Sequence, residues 1–291
     1  MTTTIITCYY RFQSKHSDAS YDCWIQHFLD HVSRTPGHCS LVVFTSAGMA
    51  PAIERGMRSL LQEKRAQLVI REFEDLRFFK DHGSILEEQH RIDPQRSIRT
   101  KECYVVWNSK LDLVKQVIET NPFGATRFVW SDIGNVRHPE RGSGWRPTFQ
   151  NIDPKRVDIV LVKPFLDEEK GQTFFFDTVH FSGSIMGGSR DAFLVLHALY
   201  YDTVLVEYLA EGRFIGCDQQ LLASAYMRRP DLFHVLIPPV TVRVDPWFYL
   251  HRYYSEPDQG SSPSGPWIAR TTSEGDGRYE GCPVAACSAP R

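Results

Sequence analysis

Along the chain, segments with two different spacings of hydrophobic residues follow one another in turn. Short runs of β-branched and other apolar residues predict strands, whereas apolar residues at every third or fourth position predict helices. Over the first 130 residues the pattern predicts strand 3–7, helix 21–32, strand 41–44, helix 51–61, strand 68–73, helix 102–120 and strand 127–130. This alternation is typical of βα units on a parallel sheet.

The second half continues the alternation. It predicts strands at 157–162 and 179–186, helices at 191–209 and 218–227, and a last strand around 235–244. Residues 81–100 are polar and lack apolar periodicity, so we expect a surface loop on the substrate side. Ser, Pro and Gly predominate after 255, which predicts a flexible tail. The expected organisation is one α/β domain over 1–254, with a mostly parallel sheet flanked by helices, and a tail over 255–291.

Composition and charge narrow the classes of partner. The 291 residues carry a formal net charge of −2, which gives no broad positive field for nucleic acid. The N-terminus lacks a secretion signal, and no apolar run approaches the roughly 18 residues of a membrane span. Seven scattered cysteines without a CxxC pair predict neither a zinc site nor a disulfide framework. We expect a cytoplasmic protein without an integral membrane segment.

Several common catalytic motifs are absent from the sequence. It holds no GxGxxG after a strand, no GxxxxGK[ST], no HExxH and no GxSxG. The chemistry is therefore expected to rest on carboxylates. Asp132 is the first candidate, because it lies just beyond the strand predicted at 127–130, at the edge where α/β sheets bind ligands.

The segment around Asp132 suits a metal-bound diphosphate. A carboxylate followed by Gly134 allows Mg²⁺ or Mn²⁺ to bridge pyrophosphate oxygens close to the backbone, with Ser131 beside it. The metal would neutralise the leaving nucleotide diphosphate. The alternative is structural: Asp132 stabilises a turn in which Gly134 supplies the positive φ.

Two later segments offer contacts to a sugar. Gly187 and Gly188 are predicted between a strand and a helix, where backbone N–H groups can face a sugar or phosphate, or simply form a tight turn. Asp218 starts a predicted helix beside Gln219. It would accept a proton or bind sugar hydroxyls, or act only as a helix cap.

Basic and aromatic residues complete the candidate site. Arg99 and Lys110 are candidates for holding a diphosphate, although a solvated charged face explains such residues equally well. His251 is a candidate second metal ligand within an aromatic segment that could also be core. Four residues at or after the carboxyl edge of the first strand could seat a nucleobase and ribose: Thr7, Tyr9, Arg11 and Lys15.

Taken together, these segments resemble the HtrL/YibB family of glycosyltransferase-like proteins. The resemblance spans about residues 1 to 250 and rests on matches in a fixed order along the chain. They are Ser14-Lys15-His16, Tyr21-Asp22-Cys23-Trp24, Leu41-Val42-Val43-Phe44-Thr45, Asp93-Pro94, Tyr104-Val105-Val106-Trp107-Asn108-Ser109-Lys110, Asn121-Pro122-Phe123 and Trp130-Ser131-Asp132-Ile133-Gly134. The resemblance implies a GT-A-like, Rossmann-type fold that binds nucleotide sugars.

The resemblance also implies an activity. It is the transfer of a hexose or pentose from a nucleotide-diphosphate sugar to a glycan hydroxyl, assisted by Mn²⁺ or Mg²⁺, with Asp132 as the metal-side acid. Asp218 and Gln219 look like the Asp-Gln pair of glycogenin-like transferases, which touches donor sugar and acceptor. One departure is that Gly134 stands where the usual Asp-x-Asp has its second carboxylate.

Two other functions are considered, and the segment after the first strand argues against the second of them. One is a catalytically silent sugar- or nucleotide-binding module with the same fold. The other is a nucleotidyltransferase that makes activated sugars. Such enzymes carry a Gly-rich basic loop directly after the first strand, where this chain has Cys8-Tyr9-Tyr10-Arg11-Phe12.

Overall fold

A seven-stranded sheet forms the centre of the protein, in a computed structural model that describes residues 1–13, 16–137, 147–239 and 245–255. The strand order is β3-β2-β1-β4-β6-β5-β7. Only β6 runs antiparallel to its neighbours, and the other described pairs are parallel. The strands are β1 (Thr3–Tyr9), β2 (Cys39–Thr45), β3 (Ala66–Ile70), β4 (Arg127–Ser131), β5 (Val157–Leu161), β6 (Phe181–Ser189) and β7 (Phe233–Leu236).

Helices cover both faces of the sheet, because the central strands present apolar side chains alternately to each face. On β1, Ile6 and Cys8 belong to one buried cluster, while Ile5 and Tyr9 belong to the other. One face carries α1 (Asp18–Ser33), α2 (Ala50–Gly56), α3 (Arg58–Gln62) and α10 (Tyr249–Tyr253). The other carries α4 (Arg77–His82), α5 (Leu86–Ile92), α6 (Lys101–Thr120), α7 (Arg190–Ala198), α8 (Leu205–Ala210) and α9 (Asp218–Arg228).

A wide turn joins α7 and α8 into one helix, Arg190–Ala210, in which Leu199–Val204 is a π-helix. The Tyr200 hydroxyl donates to Asn108 Oδ1 at 2.6 Å, and the Tyr201 hydroxyl donates to the Asn108 backbone carbonyl. Two consecutive side chains thus hold one residue of α6. The helix departs from regular α-helical geometry at the same place, where it forms the π-helical turn.

The same helix, Arg190–Ala210, meets the length and composition of a membrane-crossing segment. Half of its most apolar window is buried inside the fold. Core helices of globular domains have these properties too, so the apolar character is accounted for by packing against the sheet and α6.

The mixed α/β class and the mostly parallel sheet predicted from the sequence are confirmed. Three local predictions are corrected. The segment 81–100 holds α5 rather than a plain loop, the helix expected over 51–61 breaks at Met57 into α2 and α3, and the strand expected at 179–186 continues to Ser189. The last strand ends at Leu236, and 240–244 and the tail from 256 lie outside the described residues.

The longer β6 changes the interpretation of two glycines. Gly187 and Gly188 pair with Val129 and Phe128 inside the sheet, rather than forming a loop beside a ligand. A Cβ atom on Gly187 would lie 2.0 Å from the hydroxyl oxygen of Tyr254. The glycine is therefore needed for packing of Tyr254, at the end of α10, against the sheet.

Tyr254, which packs against Gly187, belongs to a buried polar group with Asp158 of β5 and His234 of β7. The Tyr254 hydroxyl donates to Asp158 Oδ2 at 3.1 Å, and His234 Nδ1 lies 2.8 Å from Asp158 Oδ1. Burial raises the pKa of Asp158 to about 6, although His234 acts in the opposite direction. This group connects β5, β7 and the end of α10.

We expect Gly187→Ala to destabilise the protein by about 1–3 kcal/mol, since the added methyl group must displace the buried Tyr254 ring. Urea denaturation measures the change. Gly48→Ala is the matched control, because a Cβ there meets nothing within 4 Å. The control should stay within about 0.5 kcal/mol of the wild type. Equal stability of the two variants would contradict this packing role.

Two histidines meet between α1 and α10, with ring centroids 5.9 Å apart beside a small cavity. Burial lowers the pKa of His31 to about 4, with Arg34 adding to the effect. Burial lowers the pKa of His251 to about 3, with His31 adding to it. Below about pH 6.5 the unfolded chain therefore binds protons that the folded chain does not, and stability falls as the pH drops.

A His31→Gln variant should lose part of this acid sensitivity. Between about pH 6.5 and pH 4 the wild type should lose about 1–3 kcal/mol more stability than the variant. The measurement is the urea midpoint across that pH range. Parallel curves for the two proteins would show that His31 is not responsible.

Candidate active site

The strand order creates a crevice between β1 and β4. From β1 the chain proceeds to β2 and β3 on one side, then returns through α6 to place β4 on the other side of β1. The helix after β1 and the helix before β4 lie on opposite faces of the sheet. At such a switch point the connections diverge, and the space outside the carboxyl ends of the strands is where α/β sheets bind ligands.

Asp132 lies at this crevice, directly after the last residue of β4. Its backbone N–H donates to the carbonyl of Ser184 at 2.8 Å. Its Oδ1 accepts a hydrogen bond from Trp130 Nε1 at 2.9 Å and lies 3.2 Å from Lys110 Nζ. The side chain remains 35% exposed. The result is a carboxylate that is held rigidly and still reaches solvent.

Lys110 is the buried centre of the site, with only 4% of its side chain exposed. Its ammonium group donates to the carbonyl of Gly183 at 2.8 Å, and lies 2.9 Å from Asp218 Oδ2 and 3.2 Å from Asp132 Oδ1. The Gly183 carbonyl accepts its one hydrogen bond, and the two carboxylates are its ion-pair partners. We call Lys110, Asp132 and Asp218 the lysine–carboxylate triad.

The triad keeps Lys110 protonated. Burial alone would lower the pKa of Lys110, but the nearby carboxylates of Asp132 and Asp218 outweigh it and raise the pKa. The thiol of Cys8 is close enough to feel the same charges. Burial, reinforced by Asp132, raises the pKa of Cys8, so this cysteine stays a neutral core residue.

Asp218 is the first residue of α9 and approaches β6 closely. A Cβ atom on Gly183 would lie 2.6 Å from Asp218 Oδ2, so the absence of a side chain allows the approach. The neighbouring Gln219 donates from Nε2 to the carbonyl of Phe181 at 3.0 Å. Both residues predicted to contact sugar are thus used to fix the start of α9 against the sheet.

A tight turn follows Asp132 and fixes its direction. The backbone N–H of Asn135 donates to the carbonyl of Asp132 at 3.1 Å. The Asn135 side chain donates to Ser131 Oγ at 3.2 Å and to the carbonyl of Ser184 at 2.9 Å. Ser131 itself is 2% exposed, so this predicted donor-binding residue serves as a partner for Asn135.

Aromatic rings line the crevice beside this turn. Trp24 packs edge-on against Tyr21, with centroids 5.3 Å apart, and against His16 at 4.9 Å. The guanidinium of Arg137 lies 4.6 Å from the Trp24 ring, and a Cβ on Gly134 would be 3.7 Å from it. We call His16, Tyr21, Trp24 and Arg137 the Trp24 cluster. The sequence prediction did not name Trp24 as a site residue, although the position of α1 directly after β1 places it at this edge.

The residues predicted to seat a nucleobase have different environments. Thr7 is fully buried within β1. Tyr9 ends the strand and packs against Tyr21, with ring centroids 6.1 Å apart. Arg11 is exposed and forms ion pairs with two aspartates of α1, Asp18 and Asp22. Of these three, Tyr9 is the one that contacts the Trp24 cluster.

The expected phosphate partners are engaged elsewhere. Arg99 Nη1 lies 3.4 Å from Asp93 Oδ1, and its guanidinium lies 5.5 Å from the Trp107 ring. Asp93 also accepts a hydrogen bond from Tyr104 at 2.6 Å, so Arg99 belongs to a buried structural group. Lys110 is held within the triad. Lys15 lies outside the described residues.

The structure does not bring the two predicted metal ligands together. His251 lies with His31 on the α1 side of the sheet, whereas Asp132 contacts Lys110 of α6 on the other side. Among the described residues, no group of three or more His, Cys, Asp or Glu side chains is placed to hold a metal ion. The predicted ligand set therefore does not fit a divalent metal.

The protein resembles a solved structure of a sugar transferase at low sequence identity. The crystal structure of mouse xyloside xylosyltransferase 1 in its apo form matches with a TM-score of 0.46 and 15% identity, over 81% of this chain and 85% of that one. A search of curated proteins found no match.

A family comparison covers the larger part of the chain. Residues 52–256 match the family model HtrL_YibB, which is described as a bacterial protein of unknown function. The match includes α6, β4, β6 and α9, the elements that hold the lysine–carboxylate triad. By this match, which spans more than half of its length, the chain belongs to the HtrL_YibB family.

Proposed function

We propose that the protein is a glycosyltransferase that moves a sugar from a nucleotide-diphosphate sugar to a hydroxyl group of a glycan. The observation that carries this proposal is Asp132, a rigid and partly exposed carboxylate at the switch point between β1 and β4. A carboxylate in reach of an acceptor hydroxyl can take its proton during sugar transfer, and a switch point is where α/β sheets admit ligands.

The Trp24 cluster supports a nucleotide donor. Its rings provide faces on which a nucleobase or sugar can stack. Arg137 is exposed, and its guanidinium offers the paired N–H groups that match phosphate oxygens. Because the cluster adjoins Gly134, a donor bound there would extend its diphosphate toward Asp132.

In the proposed reaction the acceptor hydroxyl oxygen forms a bond to the anomeric carbon of the donor sugar. The bond from that carbon to the diphosphate oxygen breaks, and its electron pair leaves with the nucleoside diphosphate. The hydroxyl proton passes to the exposed carboxylate of Asp132. Asp218 is buried and bound to Lys110, so it acts as a positioning residue and not as the base.

Arg137→Ala should weaken donor binding about tenfold, which corresponds to about 1.4 kcal/mol for a charge-assisted contact. Thermal-shift titration with UDP-, GDP-, CMP- and dTDP-sugars identifies the donor, since a ligand of the folded state raises Tm. Arg91→Ala is the matched control, because Arg91 is an exposed arginine paired with Glu88. If Arg137→Ala binds the donor as tightly as this control, the Trp24 cluster is not the donor site.

Asp132→Asn should lower kcat about 100-fold or more and leave donor affinity nearly unchanged. The amide preserves the size of the side chain and can still accept from Trp130 Nε1. Asp218 still compensates the charge of Lys110, so the variant should fold, at a reduced stability. Asp231→Asn, an exposed aspartate paired with Arg229, is the control and should keep full activity. Unchanged turnover in Asp132→Asn would refute the proposed base.

A silent sugar- or nucleotide-binding module is the second candidate. It is favoured by the way Lys110 engages both carboxylates of the triad. Saturable donor binding to the wild type, without sugar transfer or donor hydrolysis across a panel of glycan acceptors, would establish this function in place of catalysis.

A further inference from the structure

The lysine–carboxylate triad occupies the place where the proposed enzyme would be expected to hold a divalent cation. Asp132 is the acid after the central strand, and Asp218 begins the helix that faces it. The positive charge between them belongs to the chain itself, because Lys110 Nζ lies within 3.2 Å of both carboxylates.

The distances in the triad are those of direct ion pairs between an ammonium and carboxylates. Charged N–H···O contacts have lengths of about 2.7–2.9 Å, and ordinary ones extend to about 3.2 Å. Mn²⁺ or Mg²⁺ would require oxygen ligands at about 2.0–2.2 Å, well inside these values. Lys110 Nζ lies 2.8 Å from the Gly183 carbonyl oxygen, 2.9 Å from Asp218 Oδ2 and 3.2 Å from Asp132 Oδ1.

The acceptors leave little room for a metal in addition to the ammonium. Asp132 Oδ1 already takes the Trp130 indole N–H together with Lys110. Asp218 is 6% exposed, and its Oδ2 lies against Gly183, where even a methyl group would collide. A cation that bridged the two carboxylates would have to displace the ammonium, because Lys110 Nζ already lies between them.

We propose that Lys110 is a built-in substitute for the divalent cation, so that this site binds its donor and acts without a metal. The inference rests on the proposed function for its catalytic part. Its structural part, the ammonium in place of the metal, is independent of which substrate is bound. Gly134 stands where the usual Asp-x-Asp motif has its second carboxylate. A site that holds a singly charged ammonium needs fewer carboxylates than one that holds a divalent cation.

The first test measures metal binding without substrate. Mn²⁺ titration followed by electron paramagnetic resonance should show no tight site in the metal-free wild type. Lys110→Met removes the charge at similar length and should gain one Mn²⁺ per chain. With millimolar Mn²⁺ its Tm should rise by about 5–10 °C, as expected for a ligand near 100 times its Kd.

The matched control is Lys115→Met, on the same helix, where Lys115 pairs with Glu119 at the surface. It should bind Mn²⁺ no better than the wild type. A folded Lys110→Met that binds Mn²⁺ only as well as this control would overturn the proposal. So would a tight Mn²⁺ site in the wild type that Asp132→Asn abolishes.

A second measurement covers the case in which Lys110→Met does not fold. The donor affinity of the wild type is compared in EDTA and in Mn²⁺. Equal donor affinity in EDTA and in Mn²⁺ supports the proposal that Lys110 replaces the metal. Donor binding that requires Mn²⁺ overturns the proposal. If no donor binds under either condition, the proposed function fails, and the substrate-free titration of the wild type still decides the role of Lys110.

Discussion

The burial of one ammonium group between two carboxylates is the constraint on which the rest of the site depends. Lys110 on α6 meets Asp132 after β4, Asp218 on α9 and the backbone of β6. Removing one partner of a buried ion pair typically costs about 3–5 kcal/mol, because the remaining charge loses its compensation. The ends of β4 and of β6 and the start of α9 are thereby required to converge on one atom of α6.

The topology explains why this convergence occurs at the carboxyl edge of the sheet. Because β1 lies between β2 and β4, the helices on either side of it cover opposite faces and leave a crevice at the carboxyl ends. The antiparallel β6 then brings its amino-terminal residues, Phe181 to Ser184, to the same edge. A parallel strand in that position would have presented its carboxyl end, and the carbonyl of Gly183 would not face Lys110.

The sequence was sufficient for most of the regular elements and for the position of Asp132 at a strand end, since hydrophobic periodicity marks the strands. It did not reveal the role of Lys110, because a lysine on an amphipathic helix is ordinarily exposed, and its burial depends on acids far along the chain. The sequence placed Gly187 in a turn after the strand, whereas it lies inside β6, for a related reason. A glycine inside a strand looks like a turn until the tyrosine that fills its space is known. The short helix α5 was hidden by its polar composition.

The π-helical turn at Leu199–Val204 has a consequence for how such a site can vary. Its two tyrosines donate hydrogen bonds to Asn108, which lies two residues before Lys110 on α6. These contacts help to hold α6 in one rotation about its axis. An α-helix advances about 100° per residue, so loss of one residue from the wide turn would swing a tyrosine away from Asn108. Substitutions or deletions in helix 190–210 can therefore shift the position of the Lys110 ammonium without changing any residue of the candidate site.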